Sequence, residues 1–456
     1  MAGATGTDRS QQNAAQVAID NAAITTSVTT NVITFVSGYT PTAADVGNVV
    51  QVISGTNATA NSFFNITAQT ATTWTVNGNV VSSGTTVNLI ANMGGALATL
   101  GKLAAALTVG SNKAYVTGAF TSTATITFAP SGVTPAGNVP QTRLIGYGAV
   151  RGDAGHATLT LQTNTGLTGI TSAASGFTVE QIDVDCASLG TSTGIALTVA
   201  FGAIRNCKVA NFTVKGLRLA TNTLSEIADC EVTGGTAAAT VAVDLAAAPQ
   251  SMHRCFIHDN ACPGLSIVAG QTAIDCLIVN NTGAASDGVQ ANGNCVLLNN
   301  TIHGNGRDGI RSLNAGTTQQ IRNNILSNNG GFGLNYSVIA GPAMADIDGN
   351  AYFSNTSGAR NNVDSTAGIF GVSPYVNTRD VILTVSPYVG PTTGSTANFG
   401  LNNTAGGGAA CRAAGSPGAF PGLATTVGKL DMGAVQHADP VTGGLIGMGE
   451  LAGGLQ

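Results

Sequence analysis

The sequence predicts an all-β solenoid, because one short pattern recurs about every two dozen residues between residues 179 and 355. Each copy ends in a residue that we call the ladder position, and an apolar residue often follows two places later. This alternation is strand-like rather than helical. A second signal is a glycine nine residues after the ladder position, followed by Leu or Ile. The ladder positions are Ile182, Cys207, Cys230, Cys255, Cys276, Asn300, Asn324 and Asn350, and the glycines are Gly216, Gly264, Gly309 and Gly333.

The composition supports many stacked strands with tight turns. The chain has 456 residues and 61 glycines, and 43% of its residues are apolar while only 9% are charged, against about 25% charged in an ordinary globular protein. A single globular core stops growing near ~250–300 residues, whereas a solenoid grows by adding coils. The net charge of −5 without a basic stripe argues against a nucleic-acid partner.

The sequence also bounds the location of the protein. No apolar run reaches the ~18 residues of a membrane span. The first eight residues, from Met1 to Asp8, lack the basic and apolar regions of a signal peptide. We therefore expect synthesis in a host cytoplasm, with no membrane span, and no sequence feature calls for a cofactor.

Four segments are predicted in chain order. Residues 1–24 are predicted to form a helical arm, because Asp8 and Gln11 resemble a capping box before an Ala-rich run. Residues 25–93 alternate like a small β-sandwich or barrel-like module, with Trp74 in its core. Residues 94–437 are the predicted solenoid, headed by a cap helix at 96–108 that covers its open end. Residues 438–456 form a Gly-rich tail.

The two ends of the predicted solenoid resemble a known family. Residues 94–148, ending in Leu144-Ile145-Gly146-Tyr147-Gly148, resemble the entry to a right-handed parallel β-helix of the pectin-lyase-like superfamily. The run from Leu430 to Gln436 resembles a closing motif of such helices. The resemblance covers roughly residues 94–437 and implies the fold. It does not imply one activity, because the superfamily includes lyases, hydrolases, adhesins and viral spikes.

The ladder residues are interpreted as structural. We expect Cys207, Cys230, Cys255 and Cys276 to form an internal stack of reduced thiols, because no convergent Cys-x₂₋₄-Cys pair suggests zinc. We expect Asn300, Asn324 and Asn350 to stack with their amides hydrogen-bonded along the solenoid axis. The sequence offers no physical reason for the change from Cys to Asn.

The carboxylates do not predict a catalytic site. Asp287 and Asp308 each precede a glycine, which favours a turn over a catalytic acid. The best polar cluster for a glycan is His303 with Arg307 and Asp308, and these three are the candidate glycan contacts. No residue is assigned to catalysis, to a metal or to a cofactor.

Three functions remain open, and the first is favoured. The protein is a structural or host-surface-binding component of a phage particle, it is a polysaccharide lyase or glycoside hydrolase, or it is a cell-surface adhesin. For the first, we expect a virion location and a homotrimer attached to other virion proteins through residues 1–93. The solenoid would then bind a host glycan rather than cleave it. The absence of a clear acid cluster argues against an enzyme.

Overall fold

A computed structural model describes most of the predicted solenoid and parts of the segments around it. It forms two compact units, the first of residues 1–160 and 179–183 and the second of residues 161–178 and 184–456. The described residues are 17–19, 24–25, 31–35, 40–46, 49–54, 62–80, 90–94, 100–107, 113–130, 142–148, 152–162, 166–198, 200–220, 224–313, 318–336, 344–361, 379–391, 398–412, 414–415 and 431–436.

The first unit contains a seven-stranded antiparallel sheet with the strand order β1-β7-β4-β5-β6-β3-β2. Its strands are β1 (Val17–Ile19), β2 (Ile24–Thr25), β3 (Val32–Phe35), β4 (Val49–Ser54), β5 (Ser62–Gln69), β6 (Thr73–Val76) and β7 (Ile90–Gly94). Trp74 is fully buried, packs edge-to-face on Phe35 and donates from Nε1 to Asp45 Oδ2 at 2.9 Å. Its buried N–H is therefore satisfied.

The N-terminal arm differs from its prediction. Val17–Ile19 is a strand that pairs with Ala91–Met93, and Ile24–Thr25 is a strand that pairs with Thr34–Phe35, so this part of the predicted arm is not helical. Residues 8–16 lie outside the described residues, as does the tail from 438 to 456. The cap helix is α1 (Leu100–Ala106), inside the predicted range, and it buries Leu100 and Leu103.

The remaining elements are short strands, which follow a repeating order of three up to β37, and one helix. They are β8 (Lys113–Thr117), β9 (Ala119–Ser122), β10 (Ile126–Phe128), β11 (Thr142–Tyr147), β12 (Ala157–Leu161), β13 (Leu167–Ser172), β14 (Phe177–Glu180), β15 (Ile182–Asp185), β16 (Ser192–Leu197), β17 (Ala203–Arg205), β18 (Lys208–Ala210), β19 (Lys215–Leu219), β20 (Ser225–Ala228), β21 (Glu231–Thr233), β22 (Val241–Leu245), β23 (Gln250–His253), β24 (Phe256–His258), β25 (Leu265–Val268), β26 (Gln271–Ile274), β27 (Leu277–Val279), β28 (Val289–Asn292), β29 (Cys295–Leu298), β30 (Thr301–His303), β31 (Ile310–Ser312), β32 (Thr318–Arg322), β33 (Ile325–Ser327), β34 (Phe332–Tyr336), β35 (Met344–Asp348), β36 (Ala351–Phe353), β37 (Gly358–Asn361), β38 (Val381–Ile382), β39 (Tyr388–Gly390), β40 (Asn398–Leu401) and the helix α2 (Gly408–Cys411).

In the second unit, every coil contributes one strand to each of three parallel sheets. Sheet A has the order β13-β16-β19-β22-β25-β28-β31-β34-β37, sheet B runs from β17 to β35 in steps of three, and sheet C runs from β18 to β36 and then β38. Neighbouring coils are in register, so residues at equivalent positions form columns along the axis, about 4.8 Å apart. The inner column of sheet C is apolar and fully buried, for example at Val209, Val232 and Ile257.

The corner between sheets B and C explains the repeated motif. The residue before each ladder position has a left-handed backbone, with φ of 48° at Asn206, 55° at Asp229, 50° at Arg254, 56° at Asp275 and 59° at Asn323. This conformation bends the chain sharply between the two sheets and is most accessible to Asn, Asp and Gly. The ladder residue then lies inside the solenoid.

Glycines begin most strands of sheet A for a steric reason. A Cβ on Gly264 would lie 2.7 Å from the carbonyl oxygen of Gly288 on the next coil and 2.7 Å from Ile278 of sheet C. The backbone of sheet A therefore approaches sheet C too closely for larger residues. Ala242 occupies the equivalent position in β22, where it is fully buried.

The parallel coils end before residue 437, earlier than predicted. After β38 the chain folds back as the antiparallel pair β39–β40 and α2, and these elements pack on the outer face of sheet C. We call residues 383–436 the C-terminal segment. Its Leu383, Tyr388, Phe399, Leu401, Cys411 and Met432 form one buried cluster with Val279, Ile325 and Ala351 of sheet C.

Candidate functional site

The outer face of sheet A carries a continuous column of polar side chains. In successive strands, the register places Arg218, Asp244, Ser266, Gln290, Arg311, Asn335 and Asn361 on neighbouring coils. The residues beside them in the strands point inward and are buried, for example Ile310 and Ser312 around Arg311. We call these seven residues the polar stripe. Successive side chains of a strand point to opposite faces, so the stripe residues point outward and form a row parallel to the solenoid axis.

Ion pairs occupy the first coils of the stripe. Asp244 forms an ion pair with Lys215 and lies 3.4 Å from Nε of Arg218. The carboxylate is only 10% exposed and has cations from the preceding coil beside it. This end of the stripe is thus largely paired within the protein.

Two buried carboxylates accept hydrogen bonds from side chains of the later coils. Asp287, whose side chain is fully buried, accepts from Arg307 Nε at 2.7 Å and from Gln290 Nε2 at 3.1 Å. Asp308 accepts from the backbone N–H of Phe332 at 2.8 Å and from Asn335 Nδ2 at 2.7 Å. The hydrogen bond that Arg307 donates to Asp287 raises the pKa of this guanidinium. Both carboxylates are therefore engaged in orienting neighbouring groups.

These bonds fix the amides of the stripe. Gln290 is held by Asp287, Asn335 is held by Asp308, and Asn361 Nδ2 donates to Asn335 Oδ1 at 3.0 Å. A side chain that is already ordered loses less entropy when it binds a ligand. The stripe therefore presents ordered amide groups, whose spacing along the axis is set by the distance between coils.

Arg311 differs from the other arginines of this face. Among the residues that the structure describes, Arg311 forms no ion pair, whereas Arg218 lies beside Asp244 and Arg307 is paired with Asp287. The neighbours of Arg311 in the column are Gln290 and Asn335. A guanidinium without an ion pair in the described structure thus lies between two fixed amides.

The structure separates the three predicted glycan contacts. Arg307 and Asp308 lie at the edge of sheet A, bonded as described above. His303 lies on sheet C, where it is 6% exposed and covered by Tyr388 and Phe399 at ring distances of 5.5 and 5.4 Å. Its Nδ1 is 3.0 Å from Ser327 Oγ, and burial lowers its pKa to about 4. His303 therefore does not face solvent beside the other two.

The predicted ladder residues lie inside the solenoid. Cys207, Cys230, Cys255 and Cys276 are buried free thiols. Asn300 Nδ2 donates to Asn324 Oδ1, and Asn324 Nδ2 donates to Asn350 Oδ1, both at 3.0 Å. The amide column ends where Asp380 Oδ1 accepts the backbone N–H of Asn350 at 2.8 Å. No cluster suited to holding a metal ion is found among the residues described.

Sequence reasoning missed a second amide column and the polar stripe itself. Asn260, Asn281, Asn305, Asn329 and Asn355 bond to one another at the corner between sheets C and A. Each lies five residues after a ladder position, so a signal was present in the sequence. The stripe residues likewise lie two places after the glycine column, for example Arg311 after Gly309.

Comparisons with known proteins bear on the fold. Residues 193–371 match a family model described as the right handed beta helix region. A crystal structure of the pectate lyase Pel9A is similar with a TM-score of 0.52 and 14% identity, covering 74% of this chain and 90% of that one. The solenoid is a right-handed parallel β-helix. At this identity the similarity shows the fold of the β-helix and not its activity.

Two viral structures are also similar, at lower scores. A protein of Geobacillus virus E2 has a TM-score of 0.43 and 14% identity over 58% of this chain and 55% of its own. Full-length tailspike protein 2 from a bacteriophage of Escherichia coli O157:H7 has a TM-score of 0.40 and 13% identity over 86% and 53%. A search of curated proteins gave no match. None of the described helices of the β-helix protein has the length and apolarity to cross a bilayer.

Proposed function

We propose that the protein is a host-surface-binding component of a virus particle, specifically of a phage, and that the polar stripe contacts a host polysaccharide. The observation that carries the proposal is the stripe itself. It offers amide, hydroxyl and guanidinium groups in register along the outer face of sheet A. Sugars are recognised by such planar hydrogen-bonding groups, and a linear polymer matches a linear row of them.

The bonding of the carboxylates favours binding over cleavage. A hydrolase needs one carboxyl that donates a proton and a second that acts as a base or nucleophile. Asp287 and Asp308 instead accept hydrogen bonds from Arg307, Gln290, Asn335 and the backbone. Carboxylate oxygens that already accept these bonds are occupied in positioning neighbouring groups rather than turned towards a substrate.

A polysaccharide array tests the proposal. The full-length protein is applied to purified bacterial surface polysaccharides, beside a Gln290→Ala/Asn335→Ala variant. Thr272→Ala, on the outer face of sheet B, is the matched control. We expect binding by the wild type and the control, with at least about tenfold weaker binding by the stripe variant, since two hydrogen-bonding groups are lost. Equal binding by all three proteins would place the glycan elsewhere.

An enzyme on the same fold is the second candidate. The observation in its favour is that Asp287 and Asp308 lie next to each other at the edge of sheet A, with the Asp308 N–H 3.3 Å from Asp287 Oδ1. The same polysaccharides are assayed for new reducing ends and for unsaturated products. Cleavage by the wild type that is lost in Asp308→Asn, with binding retained, would establish this alternative.

The proposal includes assembly on a particle. The antiparallel sheet of the first unit has its own buried residues around Trp74, which suits an attachment module within residues 1–93. We propose a homotrimer that uses this module to reach other virion proteins. Light scattering of the full chain should report three subunits, and the protein should co-sediment with virus-like particles. A monomer that stays in the supernatant would contradict this part.

A further inference from the structure

We propose that the C-terminal segment is an acid-sensitive strap on sheet C, and that protonation of His303 releases it. The segment is held by one buried cluster, in which its Tyr388 and Phe399 meet Val279 of sheet C. His303 belongs to the same sheet, lies beneath this cover and is 6% exposed. The polar stripe lies on sheet A, so release of the segment is a property separate from the proposed polysaccharide contact.

The imidazole of His303 is enclosed by uncharged side chains. The rings of Tyr388 and Phe399 meet it edge to face, and the two neighbouring coils place Val279 and Ser327 beside it in the column. Its Nδ1 lies 3.0 Å from Ser327 Oγ, and that hydroxyl lies 2.8 Å from Tyr388 Oη. A neutral imidazole is satisfied in this place, whereas an imidazolium would be a buried charge among uncharged groups.

The titratable groups of the elements packed around His303 do not supply a counter-charge. Burial raises the pKa of Tyr388 on β39, and burial with Asp431 nearby raises the pKa of Cys411 on α2 to about 12, so both groups are neutral in acid. His258 shares the column but lies two coils away, ~10 Å along the axis. In the described structure, burial and no neighbouring charge lowers the pKa of His303.

His258 shows the opposite arrangement on the same face. Its Nδ1 lies 2.8 Å from Asp259 Oδ2 and its Nε2 lies 3.2 Å from Glu231 Oε1. Both ring nitrogens face carboxylate oxygens, and only an imidazolium has an N–H for each of them. Burial opposes this charge, but the bonds to Glu231 and Asp259 outweigh burial and raise the pKa of His258. The column thus holds one histidine built for the charged form and one, His303, built for the neutral form.

Docking of the segment and protonation of His303 are therefore linked. The pKa of His303 is about 4 beneath the segment, and an imidazole that becomes exposed on release has an ordinary pKa of ~6.5. The released state binds more protons between these two pH values, so acid favours release. The two pKa values together predict release that is about twentyfold more frequent at pH 5 than at pH 7.

Hydrogen exchange followed by mass spectrometry tests the strap on the full-length protein. Exchange is measured at pH 5 and pH 7 in peptides that contain β39 and β40, and it is corrected for the intrinsic exchange rate at each pH. Peptides that contain β25 of sheet A are the internal reference. We expect about twentyfold more opening of β39 and β40 at pH 5, reversed on return to pH 7. The reference should stay protected at both pH values, because the segment opens without the coils.

Three variants separate His303 from other titrating groups. His303→Gln should lose most of the difference between pH 5 and pH 7, because the titrating group is gone. Ser327→Asp should also lose it, because a carboxylate beside Nδ1 stabilises the imidazolium as Asp259 does at His258. His253→Gln, the matched control on sheet B, should keep the full response. If His303→Gln does not dock the segment at pH 7, Ser327→Asp and the wild type carry the test.

Three results would overturn the inference. The first is equal opening of β39 and β40 at pH 5 and pH 7 in the wild type. The second is a full acid response in both His303→Gln and Ser327→Asp. The third is opening of β25 together with β39, since acid would then loosen the whole β-helix. The polysaccharide array tests the proposed function separately, so either proposal can fail while the other stands.

Discussion

Replacing Asn305 by Ala should destabilise the β-helix strongly, because Asn305 is the centre of the second amide column. Its Nδ2 donates to the carbonyl of Ile278 at 3.1 Å and to Asn329 Oδ1 at 3.0 Å. Its Oδ1 accepts the backbone N–H of Asn281 at 3.1 Å and Asn281 Nδ2 at 2.9 Å. The side chain therefore joins three coils while being 1% exposed.

The magnitude follows from the groups that lose their partners. In Asn305→Ala, the backbone N–H of Asn281 is left buried without a bond, and the carbonyl of Ile278 and Asn329 Oδ1 each lose one donor. Asn329 Oδ1 keeps the backbone N–H of residue 305, and Asn281 Nδ2 keeps a long bond to Ile257. The orphaned N–H costs ~1–3 kcal/mol and each further lost bond about 1 kcal/mol, so we expect a loss of about 3 kcal/mol in the free energy of unfolding.

The assay is urea unfolding followed by far-ultraviolet circular dichroism. Asn280→Gly is the matched control, because Asn280 has a left-handed φ of 52° and glycines occupy the same corner at Gly234 and Gly304. The control should change stability by less than about 0.5 kcal/mol. A loss below about 1 kcal/mol in Asn305→Ala, with an unchanged urea dependence, would refute the reasoning on the column.

Three further predictions concern buried groups. The pKa of His303 is about 4 in the folded protein and ~6.5 in the unfolded protein, so the unfolded state binds more protons between these two pH values. The free energy of unfolding should therefore fall by about 3 kcal/mol as the pH drops from 6.5 towards 4. The variant His303→Gln should lose correspondingly less stability between pH 7 and 4, and an identical loss would contradict the placement of this imidazole. Native thiols should resist alkylation, and all eight cysteines should react after denaturation; mass spectrometry that finds Cys207 linked to Cys230 would be inconsistent with the ladder. Gly264→Val should prevent normal folding because its Cβ would lie 2.7 Å from the Gly288 carbonyl of the next coil and 2.7 Å from Ile278 of sheet C. A soluble variant with wild-type melting would show that there is room for a side chain between sheets A and C.

The repeat could be read from the sequence because each coil uses the same positions for the same physical task. The left-handed corner favours Asn, Asp or Gly, the next residue is buried, and the glycine column keeps sheet A close to sheet C. These demands recur in every coil and are local. The second amide column, which begins at Asn260, is equally local and periodic, but it lies at the corner between sheets C and A and not at the corner of the ladder positions.

The remaining features depend on contacts between distant parts of the chain. Nothing near His303 in the sequence indicates that Tyr388 and Phe399 cover it, because they come from the C-terminal segment. The helix predicted over residues 8–24 rested on propensity, and pairing with the strand at Ala91–Met93 overrides propensity at Val17–Ile19. The stripe residues follow the glycine column by two places, but their types vary from coil to coil, so the strand register is needed to show that they form one row.

The central claim is that the outer face of sheet A binds a polysaccharide, and a structure of the full-length protein with a bound oligosaccharide tests it most directly. The oligosaccharide should come from a polymer that the protein binds on the array. We predict a sugar chain that follows the polar stripe and crosses β28, β31 and β34. Sugar bound to sheet B, to the C-terminal segment or to the first unit, with sheet A empty, would contradict it.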